Sequence, residues 1–344
     1  MRSLTKKTAC VLLAVSMLLT VACPALAANE ETLTLAAAPS ASVVEALGQN
    51  SPPNEAVSAE KSGEVDPSAI ALMQAQTYKD FLVSEGAENE NEAMSLGNSA
   101  KKDVTLSLNS ATGKCTKEAN GDVSIAEEGY AKISLPSIPA GLYQIKLEYD
   151  VDDTRTRDVE CALLLDGKLP YEEARDLTLG RMWRNDGDIV QDANNNDIKP
   201  AQVTVPFEER GYLTKTLKDS AGYYSEGLLF NFDGAKELTF VSLRESVKLH
   251  AITLVCPQPM ISYAEYAKAH PDNGNNAAKT LDPIQGEDCD YKNDATLTPQ
   301  EDRSSPMTAP REGSKIRLNY IGGNNWSTAG QEVVWSFTPE ETGL

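Results

Sequence analysis

The feature that most constrains this chain is a change of period. From about Lys102, apolar residues recur in short alternating or continuous runs: "VTLSL", "YAKISL", "LYQIKLEYDV" and "RDVECALLLD", then "LLFNF", "KELTFVSL" and "VKLHAITLVC". Alternation sends successive side chains to opposite faces of an extended strand, so each such run builds one wet and one dry face. Gly121, Gly141, Asp166-Gly167 and Asp233-Gly234 punctuate the runs with residues that tolerate turns. No long helical pattern intervenes. Residues 102–257 are therefore predicted to form an all-β sandwich, a jelly roll if about eight strands are joined by a crossing connection.

The flanks differ. In "PSAIALMQAQTYKDFLVSEG", Ile70, Met73, Tyr78, Phe81 and Leu82 fall on one stripe and Gly86 follows, so 68–101 reads as one amphipathic helix and a linker. Residues 28–67, rich in Ala, Ser, Pro, Glu and Gly without period, read as a disordered tether. Arg2, Lys6 and Lys7 precede the apolar run "ACVLLAVSMLLTVAC" and then Ala25-Leu26-Ala27, the pattern of a signal peptide over 1–27. Cleavage before Ala28 sends the protein out of the cell, secreted or held at its surface. Cys23 offers a rival lipoprotein reading, but Thr20 and Pro24 suit it poorly.

The formal charge is −20, and removing Arg2, Lys6 and Lys7 takes it to −23. Such a surface repels phosphate backbones and anionic lipid, so a nucleic-acid partner is not expected and a neutral ligand fits better. The same acidity also keeps an exported protein soluble. Cys115, Cys161, Cys256 and Cys289 are too sparse for a disulfide scaffold. Cys161 and Cys256 lie in strand-like runs and could be packed thiols or one bridge. The two histidines, His250 and His270, have no metal-like spacing. There is no G-x-S-x-G, no phosphate-binding glycine loop and no persuasive nucleophile, so a non-catalytic binding role is expected.

The longest irregular stretch, "RMWRNDGDIVQDANNNDIKPAQVTVPF", holds Arg181, Trp183, Arg184 and Asp188. An aromatic face under sugar C–H groups, with guanidinium, carboxylate and amide groups on the hydroxyls, is what a neutral sugar requires. Tyr212, Tyr223 and Tyr224 follow and could extend that platform. A tryptophan in a sandwich also commonly plugs the core, with Arg181 as its neighbour. Asp192, Asn194 and Asn196 space their oxygens like a calcium loop, but the glycine and the final glutamate are missing: Asp197 and Val203 stand there. A turn stabilised by side chain to backbone bonds explains the same residues. The carboxylates of "GEDCDYKND" at 286–294 could likewise hold calcium or form a solvated edge, and Arg244-Glu245 could form a surface pair.

Two segments also recur in order. "TYKDFLVSEGA" aligns with "SYAEYAKAHPD", pairing Tyr78 with Tyr263 and Phe81 with Tyr266. "KISLPSIPAGLY" aligns with "VWSFTPEETGL", pairing Ile133 with Trp335, Leu135 with Phe337 and Gly141 with Gly343. The expectation is a duplication: a linker helix over 258–280, then the truncated start of a second β-sandwich over 281–344.

"GLYQIKLEYDVDDTRTRDVECALLLDGKLP", "GRMWRNDGDIVQDANNNDIKPAQ", "SAGYYSEGLLFNF" and "ELTFVSLRESVKLHAITL" resemble the N-terminal sandwich of large bacterial extracellular solute-binding proteins, the receptors of ABC-type sugar importers. "RSSPMTAPREGSKIRLNYIGGNNWSTAGQEVVWSF" resembles the start of a second such module. The resemblance implies galactose-binding-domain-like, carbohydrate-binding jelly rolls at the cell surface, a glycan as ligand, and a permease as partner through receptor lobes that these segments do not contain. It implies no catalytic residue and no certain cofactor, with structural calcium an open possibility. Asn195 stands where that family's turn favours glycine, a left-handed position that asparagine tolerates. An accessory module of a glycan-degrading enzyme and an adhesive spacer remain open alternatives.

Overall fold

A computed structural model describes residues 60–61, 63–96, 102–270 and 284–337. The signal peptide, the Cys23 alternative, most of the tether and Gly343 lie outside the described residues.

The predicted sandwich is present. Its strands are β1 (Val104–Leu106), β2 (Thr116–Lys117), β3 (Val123–Ile125), β4 (Tyr130–Ser134), β5 (Leu142–Val151), β6 (Val159–Leu165) and β7 (Leu177–Leu179). The second half adds β8 (Leu213–Thr216), β9 (Leu229–Asn231), β10 (Glu237–Arg244) and β11 (Val247–Val255). One sheet runs β8-β5-β11-β3-β2, with β9 also on β5 and β1 also on β11; the other runs β4-β10-β6-β7. All of these pairings are antiparallel. From β3 onward the chain passes back and forth between the two sheets, which is the winding of a jelly roll.

The alternation in the sequence fixes which side faces in. On β5, Tyr143, Ile145, Leu147, Tyr149 and Val151 are buried, while Gln144, Lys146, Glu148 and Asp150 keep some exposure. The continuous apolar run of β6 has no wet face because the four-stranded sheet is covered outside as well. That cover comes from the N-terminal helices, where the single predicted helix is in fact split. α1 (Pro67–Ile70) packs on β10, 71–76 runs without helix, and α2 (Tyr78–Ser84) starts afresh. The break has one local and one tertiary cause: the Thr77 side chain caps α2 by accepting from Asp80 N, and Gln76 C=O accepts from Glu172 N of the sandwich at 2.8 Å. Tyr78 and Phe81 then pack with Tyr171, with ring centroids 4.8 and 5.2 Å from it. Burying each ring stabilises the fold by roughly 1.5–3 kcal/mol. α3 (Glu90–Ser95) follows.

Asp166 and Gly167 both take positive φ, 48° and 74°, as the predicted tight turn needs, and Asn195 adopts 61°. Cys115, Cys161 and Cys289 are free thiols, so Cys161 and Cys256 are not bridged to each other. Arg244 and Glu245 do not pair with each other; Arg244 reaches Glu160 at 2.5 Å and Glu245 reaches Arg155 at 3.9 Å.

The stretch expected to be irregular contains strands. Trp183–Asn185 pairs with Gln202–Thr204 on one side and with Tyr291–Lys292 on the other, and Val333–Val334 completes this four-stranded sheet. A fourth helix, α4 (Phe207–Arg210), follows, and α5 (Tyr263–Ala269) stands before the later segment. α5 shares cap chemistry with α2, a Ser262 and Glu265 capping box at the places of Thr77 and Asp80. The burial of the aligned residues differs: Tyr78 and Phe81 are buried, whereas Tyr263 is 84% and Tyr266 45% exposed.

Candidate functional site

The open side of the sandwich lies between two edge strands, β8 of one sheet and β7 of the other. Edge strands present unpaired backbone groups and must be covered or occupied. Here a cavity of about 640 Å³ opens, lined by Thr178 from β7, Leu213 to Thr216 from β8, and the loop 218–225. Tyr291–Asn293 and Ala329–Val334 of the later segment line its other side. That volume falls within the range of small-ligand pockets, roughly 300–1,000 Å³.

Four tyrosines line the cavity: Tyr149, Tyr212, Tyr224 and Tyr291. Tyr149 is fixed by donating its hydroxyl to Gly180 C=O at 2.8 Å. Tyr224 stands edge-on to Tyr78, with centroids 4.7 Å apart, and its loop is shaped by Asp219, whose carboxylate accepts from the backbone of Ala221, Tyr223 and Tyr224. Lys215 faces Leu147 across the β8–β5 pair, and burial lowers its ammonium pKa, with Asp158 opposing. Arg181, only 2% exposed, donates Nε to Arg157 C=O and Nη1 to Asp152 C=O. Its Nη2 has no partner, and the side chain lines the cavity. Burial lowers the guanidinium pKa, against the pull of Glu245 and Asp158. The arrangement offers ring faces, one buried guanidinium with a spare donor, an ammonium and several hydroxyls: hydrogen-bonding and stacking chemistry.

The structure therefore divides the sequence-predicted residues. Arg181, Tyr212 and Tyr224 come together in this cavity. Tyr223 is 85% exposed beside it. Trp183 is 6% exposed and opposes Thr204 and Lys292 in the third sheet, so it packs as a wall and presents no sugar platform. Arg184 is paired with Glu209, and with Asp188 it lines a different, acidic cleft. Asp192 accepts from Asn194 N and Asn196 N on Oδ1 and from Asn196 Nδ2 on Oδ2, while Asn196 Oδ1 accepts from Ile316 N. Those bonds engage the oxygens that calcium would need and make the stretch an Asx-turn. Among the described residues, no group of three or more His, Cys, Asp or Glu is placed to hold a metal ion.

Sequence reasoning missed Tyr149, Lys215 and Tyr291. The alternation of "YLTKT" could have placed Lys215 on the inner face; nothing local marks Tyr291, which arrives from a distant segment.

A second polar cluster lies on the outer face of the larger sheet. A β-bulge between Leu249 and Ala251 leaves His250 as the extra residue, and its Nδ1 meets Asp122 Oδ1 at 2.8 Å. Tyr212 donates to Asp122 Oδ2 at 2.8 Å, and this bond pushes its phenol up to about 12.

No protein-family model matches the chain, and no curated protein matches it. Among solved structures it is similar to the C-terminal CBM6 of LamC, a marine laminarinase from Zobellia galactanivorans (13% identity, TM-score 0.26), over 45% of this chain and 99% of that one. It is also similar to a Podospora anserina GH26-CBM35 β-(1,4)-mannanase (10% identity, TM-score 0.27), over 55% of this chain and 31% of that one. A third likeness is a family two carbohydrate esterase from Cellvibrio japonicus (7% identity, TM-score 0.21), over 48% and 36%. This chain thus spans about a third of the length of the last two. At such TM-scores the likenesses decide neither fold nor function.

Proposed function

We propose that this chain is a non-catalytic, extracellular carbohydrate-binding region that holds a neutral sugar in the tyrosine-lined cavity at the open side of the sandwich. The observation that carries this is the buried Arg181 with its unpartnered Nη2, lining one cavity with Tyr149, Tyr212, Tyr224, Tyr291 and Lys215. Guanidinium and ammonium donors suit sugar hydroxyls and ring oxygens, while tyrosine faces suit C–H surfaces. The signal-peptide pattern supports a secreted or surface location. The resemblance of the quoted segments supports the wider role, holding glycan near an ABC-type sugar importer; permease genes beside this one would be the first check of it.

The test is a neutral-glycan array on the intact mature chain, followed by titration of any hit with Lys215→Met and Tyr291→Ala. Binding weakened about tenfold by either change is expected, the loss of one good polar or stacking contact. A folded chain that binds no glycan leaves the adhesive or spacer role. Binding that neither substitution alters places the sugar elsewhere.

A further inference from the structure

A second cleft, of about 1210 Å³, takes Arg184 and Asn185 of the Trp183–Asn185 strand into its lining. One wall is the turn after that strand, with Asp186 and Asp188; the other is the later segment, with Glu287 and Asp288. Both arginines in the lining are already satisfied. Arg184 pairs with Glu209, and Arg317 pairs with Asp197 at 3.1 Å and Glu312 at 2.6 Å. Asp290 Oδ2 accepts from Ser336 N. Asp186, Asp188, Glu287 and Asp288 have no cationic partner among the described residues. The cleft is therefore strongly negative.

Glu287 is the unusual member. It is 4% exposed, and its Oε2 has no hydrogen-bond partner. Burial pushes its carboxyl up, a bond from its own backbone N–H opposes the rise only in part, and the charges of Asp288 and Asp197 add to it. A buried carboxylate with one bare oxygen and no cationic partner is costly, and a positive group arriving from the cleft would remove the cost. A metal ion is the poorer occupant, because no three acidic groups converge on one point among the described residues. An ammonium needs only one carboxylate at hydrogen-bond distance, and the cleft also supplies the Gln285 amide and the Gln191 amide oxygen for hydroxyls, the Asn185 amide being engaged by Glu287 C=O, Gln202 and Lys292.

We propose that this acidic cleft is a second ligand site, selective for a small hydroxyl-bearing organic cation, with an amino sugar as the simplest such chemistry. It uses no side chain assigned to the tyrosine-lined cavity, so either site can fail without the other.

The experiment is calorimetric titration of the intact mature chain with a fully deacetylated glucosamine trimer and with its N-acetylated counterpart, at mildly acidic pH and low salt. The two probes share their ring hydroxyls and differ in charge. The charged trimer should bind at least about tenfold tighter, and its affinity should fall with added salt. Glu287→Gln should weaken it about tenfold, and Asp188→Asn, on the exposed turn, about threefold. Asp188→Asn supplies the readout if Glu287→Gln does not fold. Equal binding of both trimers overturns the proposal, as does binding insensitive to these substitutions. Tighter binding of trilysine than of the glucosamine trimer, or calcium chloride alone binding and displacing the trimer, would also overturn it.

Discussion

Tyr212 lies flat against His250, with ring centroids 3.9 Å apart and planes 12° from parallel, and both side chains bond the same buried carboxylate, Asp122. Asn120 adds a third bond, from Nδ2 to Asp122 Oδ2 at 2.9 Å. The cluster ties the bulge in β11 to the entry of β8, the strand on which the tyrosine-lined cavity is built.

This carboxylate should make stability depend on acid. Burial alone would push Asp122 up, but bonds from His250, Tyr212 and Asn120 together hold it below the ordinary value of 3.8. A depressed folded pKa means that the unfolded chain binds the proton more readily. The contribution is therefore present above about pH 4 and is lost as pH falls through the lower folded value. Asp122→Asn should cost about 1–3 kcal/mol near neutral pH, read from urea midpoints, since it leaves buried partners poorly matched. The gap to the parent should narrow below the unfolded value; a gap constant with pH would refute the linkage.

The N-terminal helices should be anchored by a single hydroxyl. Tyr78 OH accepts from Leu229 N at 2.9 Å in the interior. Tyr78→Phe leaves that amide unpaired and should cost about 1–2 kcal/mol. Tyr78→Ala also loses the packing against Tyr171 and Tyr224 and should cost about 3–5 kcal/mol. A Tyr78→Phe variant as stable as the parent in chemical denaturation would show that packing alone holds the helix.

Gly222 should be intolerant of any side chain. Its φ is +76°, and a Cβ built there would overlap that of Ala329. Gly222→Ala should destabilise by roughly 1–3 kcal/mol and open the 329–334 segment to protease. Adding Ala329→Gly should recover part of the loss by restoring room. No recovery would assign the whole cost to backbone strain.

Lys215 should trade stability for binding. Burial lowers its pKa from 10.5, so the unfolded chain keeps this proton to higher pH than the folded one does. The group therefore works against folding at neutral pH, and its penalty fades as pH rises through the folded pKa toward 10.5. Lys215→Met should raise stability by roughly 1 kcal/mol near neutral pH, and by less in alkaline buffer, while weakening the sugar. A less stable variant would mean that the ammonium has a favourable role in the fold.

Much of the sandwich could be read along the chain. The alternation of "LYQIKLEYDV" names the inward residues of β5, and Asp166-Gly167 marks a tight turn with both residues at positive φ. The helix break at Thr77 is less visible: the Thr77–Asp80 cap is local, but the bond that holds the preceding Gln76 comes from Glu172 of the sandwich. Trp183 shows the limit for a site: composition suits it to sugar stacking, yet pairing with Tyr291–Lys292 buries it.

Side-chain period and turn chemistry act over a few neighbouring residues, so the two-sheet architecture is already written along the chain. What lines the open side of the sandwich beside β7 and β8 is instead set by long-range packing. That depends on Tyr291 to Val334 reaching Thr178, Leu213 to Thr216 and Tyr224, all distant in sequence. Such contacts are set by the unmet hydrogen bonds and apolar surface of the whole sandwich edge, which no local pattern records.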